Sequence, residues 1–198
     1  MNEGNSYSIE RHPWEPFAPG NARILFLGSF PPPRKRWTME FYYPNRQNDF
    51  WKIMGDIFFD NTAYFILKEE KAFNLPLITD IMSEKGIALY DTALEVKRLK
   101  GNASDNFLQI VTPADIEGLM KKMPQCATIV VTGEKAAETL LTPYRVTVPA
   151  IGEKIEITIA GRKAEVWRMP STSRAYPLPI EKKAAHYRTV LEAAKVIF

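Results

Sequence analysis

Arg23-Ile-Leu-Phe-Leu-Gly28 is the stretch on which the fold turns. Its apolar residues run without alternation and stop at a glycine, the pattern of a short strand buried on both faces. Ile87-Ala-Leu-Tyr-Asp91 and Ala127-Thr-Ile-Val-Val-Thr132 repeat that pattern, and the latter leads through Gly133 into the helix-prone Glu134–Leu141. Helical signals separate these strands. From Asn48, the positions of Phe50, Ile53, Met54, Ile57 and Phe58 have helical spacing. Pro76 to Lys85 predicts a second helix, with Gly86 as its left-handed cap. Thr112-Pro113 reads as the cap and first position of a third. Ile155–Ala160 and Lys163–Arg168 alternate around Gly161-Arg162, a hairpin leading into a fourth core strand. Ile180 to Ile197 reads as a closing helix. Strands alternating with helices imply an α/β domain with a short, mainly parallel central sheet and helices on both faces. Ligands of such sheets sit outside the carboxyl ends of the strands. The loops beginning at Gly28-Ser29, at Asp91 and at Pro170-Ser171 are therefore the candidate site.

The composition sets limits. The 198 residues are 45% hydrophobic and 25% charged, which excludes wholesale disorder and collagen-like classes. A net charge of +3 permits nucleic-acid binding without demonstrating it. No apolar run approaches the ~20 residues of a membrane helix. Met1 to Pro16 lacks the basic and apolar regions of a signal peptide, so a cytoplasmic protein without a membrane partner is expected. Cys126 is the only cysteine, which rules out an intramolecular disulfide; at the edge of an apolar run, it reads as an inert core thiol. His12 and His186 are too few for a histidine-built zinc centre, and no metal is expected. Residues 1–21, with Pro13, Pro16 and Pro19, read as an extended arm before a single domain over 22–198.

Three segments carry the chemistry. The first is Gly28-Ser-Phe-Pro-Pro-Pro33, continuing to Tyr42-Tyr-Pro-Asn-Arg-Gln-Asn-Asp-Phe-Trp51; the second is Gly86-Ile-Ala-Leu-Tyr-Asp91; the third is Met169-Pro-Ser-Thr-Ser-Arg-Ala175. In this order they resemble the uracil-DNA glycosylase superfamily, most closely the branch of hypoxanthine-DNA glycosylases near the mismatch-specific uracil enzymes. That branch has a Gly-Ser-x-Pro opening, a Tyr-Tyr segment leading to Asn-x-Phe-Trp, a Gly-x-x-Leu-Trp-Asp strand and a Leu-Pro-Ser-Thr-Ser-Pro-Ala loop. The resemblance implies a three-layer α/β/α sandwich and hydrolysis of an N-glycosidic bond in DNA, without metal or organic cofactor. The chain is expected to act as a monomer.

The resemblance also implies roles. Asn48 would position the attacking water; read from its own surroundings, it is equally the cap of the helix carrying Phe50 and Trp51. Tyr43 would stack on a flipped base, with core packing as the plain alternative. Gly28, Ser29 and Phe30 would form the pocket wall after the first strand, and Thr132 would join the pocket at a position where relatives often have asparagine before glycine. Asp91 would orient water, sugar or a neighbouring loop, although a salt bridge or cap accounts for it equally. Ser171, Thr172 and Ser173 would grip the DNA backbone. Arg174 stands where the family has proline and would bind phosphate or plug the base stack. Arg34, Lys35 and Arg36 would form a basic flap, otherwise a solvated loop, with Lys97, Arg98 and Lys100 extending it.

These features point to a monofunctional glycosylase acting on a deaminated base, hypoxanthine ahead of uracil. No lysine is placed as a Schiff-base nucleophile. Two other functions fit the same residues: a DNA-binding protein of this fold without catalysis, and an enzyme acting on free nucleosides or nucleotides.

Overall fold

A computed structural model describes residues 7–100 and 105–198. Its strands are β1 (Ile9–Arg11), β2 (Ile24–Gly28), β3 (Ile66–Leu67), β4 (Ala72–Phe73), β5 (Ile87–Asp91), β6 (Ala93–Arg98), β7 (Leu108–Pro113), β8 (Thr128–Val131), β9 (Lys154–Ile159) and β10 (Arg162–Arg168). The helices are α1 (Phe50–Phe59), α2 (Leu75–Glu84), α3 (Ile116–Lys122), α4 (Glu134–Leu141) and α5 (Ile180–Ala193).

The central sheet has the order β5-β2-β8-β10-β9. Its first four strands are parallel, and β9 joins β10 as an antiparallel edge. Every residue of β2, β5 and β8 is buried, because helices cover both faces. Each leucine-sized side chain enclosed this way contributes about 1.5–3 kcal/mol. On leaving β2 the chain moves to β5 at one edge; from β5 it returns past β2 to β8 and β10. The crossovers therefore diverge between β2 and β8, which opens a crevice at their carboxyl ends. Gly28 pairs in register with Asp91, so the two candidate loops start side by side.

Local chemistry sets the element ends. Asn74 caps α2 by accepting from Leu77 N, and Gly86 turns the chain at φ +67° into β5. Ala160 and Gly161, both at positive φ, make the tight turn between β9 and β10. Cys126 is fully buried, and burial pushes its thiol up to about 12.

Several elements differ from the sequence reading. Thr112 and Pro113 end a strand, and the cap of α3 is Asp115, whose carboxylate accepts from Gly118 N at 2.8 Å. The closing helix stops at Ala193 rather than Ile197. A second sheet, β1-β6-β7, is antiparallel and was not read at all. Register shifts at Glu95 break the simple alternation of β6. Part of the N-terminal arm is β1, which pairs with β6, and Phe17 makes two hydrogen bonds to Leu89 on the outer edge of β5. The first six residues of the arm lie outside the described residues. Among the described residues, no helix is long and apolar enough to cross a membrane.

Candidate active site

A cavity of about 810 Å³ lies over the carboxyl ends of β2, β5, β8 and β10. Its wall includes Gly28, Ser29, Phe30, Tyr43, Asn48, Asp91, Thr132 and the whole of Ser171–Arg174. The sequence-read loops thus converge on one place. Of the basic triplet only Arg36 reaches the wall; Arg34 pairs with Glu40 at 2.7 Å and sits over the Trp37 ring. Arg34, Lys35 and Arg36 are all exposed on a single 3-10 turn after the proline run. Arg98 is a correction. It is buried, paired with Glu10 at 3.0 Å and donating to Pro31 O, so it locks β6 to the arm and the proline loop instead of facing a ligand.

The floor is built by β2 and β5. A Cβ on Gly28 would lie 2.3 Å from Asp91 Oδ1, so only glycine leaves room for that carboxylate. Asp91 Oδ2 lies 3.0 Å from His12 Nε2, the imidazole having come in from the arm. Across the crevice Tyr43 OH and Thr132 Oγ1 are 3.1 Å apart. Thr132 Oγ1 donates to Leu27 O at 3.3 Å, which leaves it to accept from the tyrosine. The Tyr43 ring stacks on Phe50 at 3.8 Å with 9° between planes. Phe50 thus supports one face of a half-buried ring that lines the cavity. Tyr43 holds φ +51°, a left-handed conformation that a bulky residue adopts only when its surroundings fix it. Burial, then the Asp91 charge, raises its phenol above the ordinary tyrosine range, so the hydroxyl stays a donor.

Asn48 precedes α1 by two residues, and its Oδ1 accepts from Phe50 N at 2.9 Å. The N-cap of α1 is Asp49 rather than Asn48; Asn48, one residue earlier, closes a local turn with this bond and stands on the cavity wall. That bond fixes the amide and leaves its two Nδ2 hydrogens for a ligand. Asp49 N donates to Thr172 O at 2.8 Å, joining the Asn48 segment to the Ser171–Arg174 loop. The same junction holds a fully buried lysine: Lys183 Nζ on α5 reaches Asp49 Oδ2 at 2.9 Å and Ser173 O at 3.0 Å. Within the loop, Ser171 Oγ accepts from Ser173 N and Ser173 Oγ from Ala175 N, which shapes successive turns.

Sequence reasoning missed Asp105, whose Oδ1 accepts from Ser29 Oγ at 2.8 Å on the cavity wall. Burial raises its carboxyl above the usual aspartate value, partly offset by the Ser29 hydroxyl. It follows the unread β6, so no periodic signal marked it. His12 and Lys183 were missed for a different reason: each meets its partner across 79 and 134 residues respectively. Among the described residues, no three His, Cys, Asp or Glu side chains are grouped to share a metal ion.

No protein-family model matches the chain, and no curated protein matches it. Solved structures do. One is a solution NMR structure from Methanosarcina acetivorans described as a "putative Uracil DNA glycosylase". It superposes with a TM-score of 0.64 at 22% identity, covering 95% of this chain and 99% of that one. The chain therefore has the α/β/α fold of that protein, with its mostly parallel sheet flanked by helices.

Proposed function

We propose that the protein is a DNA glycosylase that hydrolyses the N-glycosidic bond of a deaminated base, hypoxanthine ahead of uracil. The observation that carries this reading is the convergence of Tyr43, Asn48, Asp91 and the Ser171–Arg174 loop on one cavity of a size suited to a single flipped nucleotide. A base taken out of the helix stacks on Tyr43, whose ring is backed by Phe50. The Ser171–Arg174 loop holds the strand around the gap through amides, hydroxyls and the Arg174 guanidinium. Water held by the Asn48 amide adds its oxygen to the sugar C1′ as the C1′–N bond breaks. The bonding electrons leave with the base, which takes up a proton, and the water gives one up. Placement and electrostatics supply the rate, since no strong acid is needed.

Among the described residues the cavity wall contains no lysine, in keeping with base release without a Schiff base or strand cleavage. Among the described residues Arg36 and Arg174 are the wall's cations, and Arg34 and Lys35 share the exposed turn with Arg36. Affinity for DNA should therefore fall steeply with salt.

The test is a glycosylase assay on end-labelled single- and double-stranded oligonucleotides carrying hypoxanthine, uracil or xanthine, followed by alkali. Alkali-dependent cleavage at one lesion, lost in Asn48→Ala, supports the reading. Salt-dependent binding with no base release from any substrate refutes it and favours a non-catalytic binding protein. Release from free nucleosides, unaffected by loss of Arg34 to Arg36, would make the substrate a monomer.

A further inference from the structure

We propose that His12, on the N-terminal arm, is a positioning residue for base excision: it holds the Asp91 carboxylate as a fixed hydrogen-bond acceptor facing the bound base. The inference rests on the glycosylase reading above and assigns a task to an element outside the parallel sheet. The His12 side chain is fully buried, and the rings of Trp14, Phe30, Tyr42 and Tyr90 surround it at 5.0–6.0 Å. Nε2 donates to Asp91 Oδ2 at 3.0 Å, while Nδ1 lies 2.9 Å from Trp14 O and 3.2 Å from Trp14 N, so backbone contacts of the arm orient the ring toward the carboxylate.

The carboxylate is thereby held at two points. Oδ2 is bound by the imidazole, and Oδ1 occupies the space that a side chain on Gly28 would fill. Asp91 lines the cavity, so it offers an acceptor edge in one orientation. That edge suits a deaminated base. Deamination turns the ring nitrogen of adenine or cytosine from an acceptor into an N–H donor, as in hypoxanthine N1–H and uracil N3–H. Without the imidazole, Asp91 becomes a buried carboxylate short of a donor and turns to find one. The turned carboxylate presents the wrong edge to that N–H.

A purely structural role for His12, stapling the arm to the sheet, is unnecessary. The arm is already held by the pairing of β1 with β6, by His12 N to Leu94 O at 2.8 Å and by the two Phe17–Leu89 bonds. None of these uses the imidazole.

Three variants separate the roles. His12→Phe keeps a ring in the aromatic cage but has no donor, His12→Gln restores one, and Asp91→Asn removes the charge. Loss of one charge-assisted hydrogen bond corresponds to roughly 10–100-fold. We expect His12→Phe to lower single-turnover excision by that factor, with DNA affinity changed only a few-fold. His12→Gln should recover most of the rate, and in an Asp91→Asn background His12→Phe should cost nothing further. A folded His12→Phe enzyme with wild-type rate, or one losing the same factor in the Asp91→Asn background, overturns the proposal. If His12→Phe does not fold, His12→Leu is measured in its place with the same criteria. Wild-type protein inactive on every lesion refutes the glycosylase reading and this inference together. Active wild type with His12 variants unchanged refutes only the inference.

Discussion

Lys183→Met should destabilise the protein far more than any exposed lysine substitution. Lys183 Nζ lies 2.9 Å from Asp49 Oδ2 and 3.0 Å from Ser173 O, with 1% of its side chain exposed. Removing one member of a buried ion pair costs about 3–5 kcal/mol, because the partner charge stays behind without compensation. Here Lys52, 3.3 Å from Asp49 Oδ1 and 26% exposed, supplies part of that compensation, which places the cost near the lower end, about 3 kcal/mol. For a chain of this size, about 2–4 °C of Tm is lost per kcal/mol, so the midpoint should fall by about 6–12 °C. Thermal melts followed by circular dichroism, checked by urea titration, measure it. The comparator is Lys121→Met, whose partner Glu117 is also exposed and whose helix-surface pair is worth about 0.3–0.5 kcal/mol. The double variant Asp49→Asn with Lys183→Met leaves no lone charge and should be more stable than Lys183→Met alone. A Lys183→Met shift as small as that of Lys121→Met would refute the assignment of this pair as the clamp between the Asn48 segment and the Ser171–Arg174 loop.

Gly28→Ala would drive a Cβ to 2.3 Å from Asp91 Oδ1, displacing the carboxylate; a stability loss of about 1–3 kcal/mol by urea titration and a collapse of base excision are expected. Tyr43→Phe keeps the stack on Phe50 and loses the bond to Thr132, so it should cost about 1 kcal/mol of stability and leave excision within ~10-fold. Tyr43→Ala removes base stacking worth ~1–3 kcal/mol and should weaken lesion binding accordingly, as read by fluorescence titration. Asp105 has a pKa raised by burial above its ordinary 3.8, so folding favours its protonated form. Its contribution to stability is full below the unfolded value and is lost as pH rises through the higher folded value. Asp105→Asn should therefore gain on wild type as pH rises across that window, and parallel Tm-versus-pH curves would refute this.

Much of the architecture follows from local pattern. Arg23–Gly28, Ile87–Asp91 and Ala127–Thr132 have no polar alternation, and a strand of that kind must be covered on both faces. That requirement alone sets helices on both sides of a parallel sheet and puts the site at the carboxyl ends. Where alternation is interrupted, the pattern fails: the register shifts at Glu95 hid β6, and with it the second sheet. Pro113 shows the same limit, since a proline suits a helix start and a strand end equally well.

Which loops meet was legible in the chain's pattern alone, because strand direction fixes the end of the sheet from which Gly28, Asp91, Thr132 and Pro170 emerge. Asn48 and Tyr43, singled out through the family resemblance, both line the cavity. The contacts that hold Asp91 and the Asn48 segment in place were set by the fold. His12 reaches Asp91 across 79 residues and Lys183 reaches Asp49 across 134, and no local periodicity encodes contacts at such separations. Burial then decided their meaning. Once the fold removes water from around a histidine of the proline-rich arm and a lysine of the closing helix, each must find a partner, and each does so beside the cavity.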